Sequence, residues 1–108
     1  GVAAQLMRQI LVEHARTRAA DKRGGGAQKF SLEDALTFSD EKAAELVALD
    51  EALVALAKFD ERKVRIIELR YFAGLSVEET AAALNLSVAT IGHEMRLARA
   101  WLRREMEG

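Results

Sequence analysis

The chain of 108 residues contains no cysteine, which excludes disulfides and thiolate metal sites. It has no apolar run long enough to span a membrane and no secretory signal, so a cytoplasmic location without membrane contact is expected. The formal net charge of −1 excludes a strong global attraction to nucleic acid, but the charge is segregated. Residues 1–30 carry +4, residues 31–60 carry −6 and residues 61–108 carry +1.

Abundant Ala, Leu, Glu and Arg, with no proline, predict an all-α fold. A first helix is predicted over residues 2–22, with a basic end and this apolar stripe: Ala3, Leu6, Met7, Ile10, Leu11 and His14. We expect the stripe to pack on the rest of the chain or on a second copy, because an exposed stripe of this size is unfavourable. Glycines at 24–26 end the helix, and residues 24–39 are predicted to be a Gly-rich, acidic linker with a short helical turn at 31–36.

Two further helices are predicted before Gly74, which ends the second of them. Ser39 or Asp40 caps the first, which is expected to end near Phe59. Its buried stripe is predicted to be Leu46, Leu49, Leu53 and Leu56. Asp60 caps the second, and the residues predicted to share its buried face are Val64, Ile67 and Tyr71.

The remaining residues have the spacing of a helix-turn-helix. A capping box at Ser76 and Glu79 begins a short helix over 77–84, and Asn85 suits the left-handed position that follows. Ser87 caps a last helix over 88–106, and its predicted inward face is Ile91, Met95, Ala98 and Leu102, with Trp101 on the flank. In such a motif the first helix holds the second against a DNA duplex.

The outward face of the last helix supplies the candidate DNA-binding residues. They are Ser87, Ala89, Thr90, His93, Arg96, Arg99 and Arg103. Thr90, His93 and Arg96 are predicted to contact base edges, and Ser87, Arg99 and Arg103 are predicted to contact phosphates. Tri-helical cores of this kind also occur in proteins that bind no DNA, so the pattern by itself leaves DNA binding open.

No catalytic site or cofactor is predicted. The sequence has no evident carboxylate pair, nucleophile–base set or phosphate loop, because the glycines at 24–26 follow a helix instead of a strand. His14 and His93 are too far apart in the sequence to indicate a metal site by spacing. We therefore expect a protein that is not an enzyme.

Residues 49–105 resemble region 4 of bacterial RNA polymerase sigma factors, most closely the extracytoplasmic-function (sigma-24-like) group. The most specific part is the continuous stretch ELRYFAGLSVEETAAALNLSVATI at 68–91. Residues 3–26 are similar to the last helix of region 2 and the start of the following linker. The resemblance implies three segments: the end of region 2 at 1–23, a linker at 24–39 and a region-4-like helix-turn-helix domain at 40–108.

The resemblance also implies a function in transcription initiation. Region 4 of such factors contacts the upstream (−35) promoter element in the major groove and binds the β flap of the RNA polymerase core. By position, the residues of this chain that match the family's DNA contacts are Ser87, Ala89, Thr90, His93 and Arg96. The helices that carry Leu69, Phe72 and Leu75 are candidates for the flap-binding surface. Further candidate partners are an anti-sigma factor and a second copy of the chain, which would form a homodimer through the first helix.

The chain departs from the family pattern in two ways. Most of region 2 lies outside the resemblance, so the chain as it stands is not expected to initiate transcription alone. The family usually has Lys or Arg at the positions of Gly92 and His93, and Glu94 adds a negative charge. We therefore expect weak DNA affinity, to which tethering by the polymerase would add.

These departures favour an alternative function, in which the chain is an interaction module. Such a module would bind the polymerase flap or an anti-sigma partner and contribute little DNA binding of its own. A third interpretation is a helix-turn-helix regulator that dimerises through the first helix. Specific binding to palindromic DNA would support it.

Overall fold

The structure, a computed structural model, describes residues 2–24 and 39–107. These residues form five helices and no strand, which confirms the all-α prediction. The helices are α1 (Val2–Gly24), α2 (Asp40–Ala57), α3 (Glu61–Ile67), α4 (Val77–Leu84) and α5 (Val88–Glu107), and α3 continues into a π-helical turn over Glu68–Phe72. Most of the predicted linker, including its helical turn at 31–36, lies outside the described residues.

The starts of α2 and α3 are fixed by side-chain caps. The Ser39 Oγ accepts a hydrogen bond from the Lys42 backbone N–H at 3.0 Å. The Asp60 carboxylate accepts one from the Lys63 backbone N–H at 3.2 Å. Each cap satisfies a donor that the first turn of a helix would otherwise leave unpaired. Ser39 is therefore the cap of α2, and the predicted cap of α3 is confirmed.

Two apolar clusters form the interior. The larger one joins α2, α3, the π-helical turn and α5, and its buried members are Ala52, Leu53, Leu56, Val64, Ile67, Phe72, Ala98 and Leu102. The smaller one joins α3, α4 and α5 through Ile66, Ala81, Ile91 and Met95. All four residues predicted to face inward from α5 are buried in these clusters, and Trp101 packs at the edge of the larger one. One face of α5 is thus held in the core while its opposite face remains at the surface.

The helix α1 packs against α2 and the π-helical turn, as expected, but with a face rotated from the predicted one. Of the predicted stripe, only Leu11 and His14 lie on the packed side. Its buried residues are Ala4, Val12, His14 and Ala15. Leu6, Met7 and Ile10 are 54%, 43% and 54% exposed and Ala3 is exposed as well, so the prediction that these four are buried is wrong. Buried alanines on α1, together with buried Ala43 on α2, allow the two helices to approach closely.

An ion-pair network fixes how α1 sits on the domain. The Arg8 side chain, only 13% exposed, donates from Nε to Asp50 Oδ1 at 2.8 Å and from Nη1 to Glu68 Oε2 at 2.9 Å. Farther along, Arg18 pairs with Asp40 at 3.3 Å, so α1 and α2 run antiparallel. Because Arg8 must face both acidic partners, the large apolar side chains of α1 are rotated towards solvent.

The π-helical turn moves Tyr71 out of the core. The Ala73 N–H donates to the Glu68 carbonyl oxygen at 3.0 Å, which is a five-residue step instead of the four of an α-helix. The wider turn places Phe72, and not Tyr71, on the buried face that Ile67 begins. Tyr71 is 51% exposed, so the prediction that it is buried is wrong.

Candidate nucleic-acid interface

The turn between α4 and α5 is set by local hydrogen bonds. In the capping box, Ser76 Oγ accepts from the Glu79 N–H at 3.0 Å and Glu79 Oε1 accepts from the Ser76 N–H at 2.8 Å. The Ser76 N–H holds the pKa of Glu79 below its ordinary value of 4.5. Asn85 follows α4 in the left-handed conformation, with φ 58° and ψ 45°. The predicted bounds of α4, its capping box and its left-handed C-cap are confirmed.

Ser87 caps α5 and is hydrogen-bonded to Thr90, another of the predicted DNA-binding residues. Its Oγ accepts from the Thr90 N–H at 3.0 Å and its hydroxyl donates to the Thr90 Oγ1 at 2.8 Å. Only three residues separate α4 from α5, as a helix-turn-helix requires. The first turn of α5 is therefore rigid, and its backbone N–H groups provide a positive helix terminus next to two hydroxyls.

None of the residues predicted to contact DNA belongs to the core. Ser87, Ala89, His93, Arg96, Arg99 and Arg103 are exposed, and Thr90 is half-buried. Their position on one side of α5 is compatible with a duplex lying along that helix. Contact of these residues with DNA stays a prediction.

Three arginines form a ridge along α5. Arg96, Arg99 and Arg103 follow Gly92 at helical spacing, so all four positions lie along one side of the helix. A Cβ atom added at Gly92 would meet only the Arg96 Nη1, at 3.8 Å, which is ordinary van der Waals distance. Packing therefore does not require glycine at the start of the ridge.

Tyr71 is a part of this surface that the sequence pattern did not indicate. The Arg99 Nε donates to the Tyr71 hydroxyl at 2.9 Å, and the Arg99 guanidinium lies 5.7 Å from the centroid of the Tyr71 ring. The Arg70 guanidinium lies 5.9 Å from the same centroid. These contacts restrain the direction of Arg99. They depend on the π-helical turn, for which the sequence gives no signal.

Glu94 lies on α5 but does not face outward. The residue is 4% exposed, and its Oε1 and Oε2 accept hydrogen bonds from Lys63 Nζ and Arg62 Nε, each at 2.8 Å. Lys63 Nζ also donates to Asp60 Oδ2 at 2.6 Å. The interpretation of Glu94 as a charge that repels DNA is therefore wrong. Its spacing, three residues after Ile91 and four before Ala98 on the inward face, was the available sequence signal.

The pKa values of this cluster predict how stability depends on pH. Hydrogen bonds from Lys63 hold the pKa of Glu94 below its ordinary value of 4.5 and the pKa of Asp60 below its ordinary value of 3.8. The same bonds, to Asp60 first and to Glu94 second in size of effect, raise the pKa of Lys63 above its ordinary value of 10.5. The carboxylates contribute stability that is present above their ordinary pKa values and lost as pH falls through the lowered ones. Lys63 contributes stability that is present below its ordinary pKa and lost as pH rises through the raised one.

We therefore expect the urea midpoint of the chain to fall on acidification below about pH 4, and Glu94→Gln to flatten this acid limb. Urea titrations of both proteins at a series of pH values would measure the difference. Glu105→Gln, at an exposed position of the same helix, is the matched control and should leave the acid limb unchanged. Parallel acid limbs for the parent and Glu94→Gln would contradict the prediction.

Within residues 2–24 and 39–107, no group of three or more histidine, aspartate or glutamate side chains is placed to hold a metal ion. In the same part of the chain, no helix combines the length and the apolar character that crossing a bilayer requires.

A protein-family model described as ECF sigma factor matches residues 1–108. No curated protein and no solved structure matches the chain significantly. The family match spans both α1 and the helix-turn-helix, which agrees with the resemblance of residues 3–26 and 49–105.

Proposed function

The chain belongs to the ECF sigma factor family, and we propose from this that α5 contacts an upstream, −35-type promoter element in the major groove. Members of this family are transcription initiation factors that bind RNA polymerase and promoter DNA. The observation that carries the proposal is the geometry of α5. Its inward face is fixed in two apolar clusters, while a ridge of arginines and a capped first turn lie on its free side. This is the arrangement that docking of a second helix in the major groove requires.

The side chains of α5 divide by chemistry into two groups. Thr90, His93 and Arg96 lie in the first turns of α5 and would form hydrogen bonds with base edges. Ala89 is small enough to allow close approach and to contact a thymine methyl group. The residues proposed to bind phosphates are Ser87, Arg99 and Arg103.

The RNA polymerase core is proposed to bind the same domain through its β flap. Leu69 and Phe72 are buried in this chain, so they would support such a surface from within rather than form it. Leu75 is half-buried and remains a candidate contact. Tethering to the polymerase would raise the local concentration of promoter DNA at α5 and offset a weak intrinsic affinity.

The alternative function is an interaction module with little DNA binding of its own. The observation that favours it is the exposure of Leu6, Met7 and Ile10 along α1, which suits a protein partner such as an anti-sigma factor or a second copy of the chain. The burial of Glu94 counts against it, because Glu94 no longer opposes DNA binding by α5.

The test uses a fluorescent duplex that the chain itself selects from a randomised pool, with anisotropy measured at two salt concentrations. We expect Arg96→Ala to weaken binding about tenfold or more and to relax sequence preference, because a base contact is worth roughly 1–3 kcal/mol. Arg65→Ala, which removes the same charge from an exposed position on α3, is the matched control and should have a much smaller effect.

The converse variant, Gly92→Lys with His93→Arg, adds cations at the start of the ridge. It should tighten binding and steepen the salt dependence by up to about two units. If neither the parent nor this variant selects or binds any duplex while both remain folded, the alternative function would be favoured.

A further inference from the structure

We propose that Glu94 is a positioning residue, which fixes the rotation of α5 about its own axis through Lys63 and Arg62 and so directs the DNA-contacting side chains. The inference rests on the proposed DNA recognition by α5. It adds to that function a residue that itself contacts no DNA. Glu94 lies one helical turn after Thr90 and directly after His93, so its anchor is at the level of the proposed base contacts.

The contacts of Glu94 leave neither carboxylate oxygen for a duplex. The side chain is 5% exposed, and each oxygen accepts a hydrogen bond from a different cation of α3. Charge-assisted bonds of this kind are short and directional. The two cations arrive from adjacent residues, Arg62 and Lys63, so the carboxylate is held on two sides at once.

The anchor on α3 is itself rigid. Lys63 bridges Glu94 and Asp60, and the Asp60 carboxylate also caps α3 by accepting the Lys63 backbone N–H. The next residue, Val64, and Ile67 one turn later are buried in the larger apolar cluster. The backbone that carries both cations is therefore fixed by the cap and the core. Lys63, 16% exposed, is the more restrained of the two, since the Arg62 side chain is 53% exposed.

Glu94 adds to the apolar inward face of α5 a second attachment, at a different angle, that restrains the rotation of the helix. Met95 and Glu94 are adjacent residues, so their side chains leave the helix about 100° apart. Met95 packs in the smaller apolar cluster, where contacts are not directional, whereas Glu94 makes bonds with defined geometry. A rotation of about 20° would displace a side-chain tip about 6 Å from the axis by about 2 Å, which is enough to break a hydrogen bond to a base.

Glu94→Gln separates this role from a direct effect of charge, because the two predict different results. It keeps the side-chain size but removes the charge that holds Lys63. If Glu94 positions α5, the ratio of affinities for the selected duplex and a scrambled duplex should fall about tenfold, since that ratio depends on base contacts. If Glu94 instead repelled DNA, the variant would bind both duplexes more tightly.

The experiment measures both affinities by anisotropy in the full chain, for the parent and for the variants. Lys63→Met should cause the same loss of discrimination, because it removes the other partner of the ion pair. Lys63→Arg should keep the discrimination of the parent, because arginine keeps the charge and the donors. Glu105→Gln is the control for the change in net charge. Circular dichroism at the assay temperature confirms that each variant compared is folded.

Each outcome has a defined meaning. Loss of discrimination in Glu94→Gln and Lys63→Met, with retention in Lys63→Arg and Glu105→Gln, supports the positioning role. Unchanged or improved discrimination in a folded Glu94→Gln or Lys63→Met overturns it while leaving the proposed function intact. A parent chain that shows no preference for any duplex overturns the proposed function, and the positioning role with it.

Discussion

Replacing Ile91 by alanine is expected to destabilise the chain by about 3 kcal/mol, within the range of roughly 2–5 kcal/mol for such changes in a packed core. Ile91 is fully buried and packs with Ile66, Ala81 and Met95, where α3, α4 and α5 meet. The substitution would leave a cavity between the two helices of the helix-turn-helix. Urea unfolding followed by circular dichroism measures the loss, since a cavity should lower the midpoint without changing the dependence on urea concentration.

The control for this variant is Leu97→Ala on the same helix. Leu97 is 46% exposed, so its truncation should cost less than about 1 kcal/mol although it removes a side chain of equal size. Near-equal losses for the two variants would show that α5 does not pack as the structure describes. A loss below about 1 kcal/mol for Ile91→Ala would have the same meaning.

The features that the sequence predicted well are those that depend on a few neighbouring residues. The cap at Ser87, the capping box at Ser76 and the left-handed Asn85 each involve groups within about one turn of the chain. Their hydrogen bonds form whenever the helix does, so the sequence specifies them directly. The inward face of α5 was also predictable, because apolar residues recur there at helical spacing.

The features that the sequence predicted wrongly depend on distant partners. Arg8 meets Asp50 and Glu68 across the fold, 42 and 60 residues away, and these bonds set the rotation of α1. No local pattern in the first helix indicates them, so its largest apolar side chains were the natural prediction for the buried face. Tyr71 was misplaced for a different, local reason, because the π-helical turn inserts one residue into the helical period.

Glu94 shows how such an error changes the functional interpretation. In sequence it stands beside Gly92 and His93, and together they suggest a helix poorly suited to DNA. In the structure Arg62 and Lys63 enclose the carboxylate, 32 and 31 residues before it. The negative charge therefore belongs to the support of α5, and only the missing cations at Gly92 and His93 remain to weaken its attraction to phosphates.

Replacing Arg8 by methionine is expected to produce the other large effect, the release of α1 from the domain. The change keeps an apolar stem of similar length but leaves Glu68, which is 3% exposed, without its cation. Among the described residues, Asp50 keeps only the longer contact with Arg16, at 3.4 Å. Removing one partner of a buried ion pair costs about 3–5 kcal/mol, because the remaining charge stays desolvated. If α1 detaches, water reaches both carboxylates, so the domain avoids part of this cost by losing the contact with α1.

Hydrogen exchange resolved by peptide distinguishes detachment from global unfolding. We expect Arg8→Met to reduce amide protection in residues 2–18 while residues 61–107 keep theirs at moderate urea. Arg16→Met is the matched control, since Arg16 reaches the same Asp50 at 3.4 Å from a half-exposed position and should contribute less than about 1 kcal/mol.

A second variant, Arg8→Met with Glu68→Leu, tests the cause of the release. It removes the buried Glu68 charge together with its partner Arg8. Replacing both members of a buried ion pair by apolar residues often leaves stability unchanged, whereas removing one member lowers it. Protection of α1 should therefore recover towards that of the parent. Unchanged protection in Arg8→Met would mean that small-residue packing against α2 holds α1 without the ion pairs, and the rotation of α1 would then need another cause.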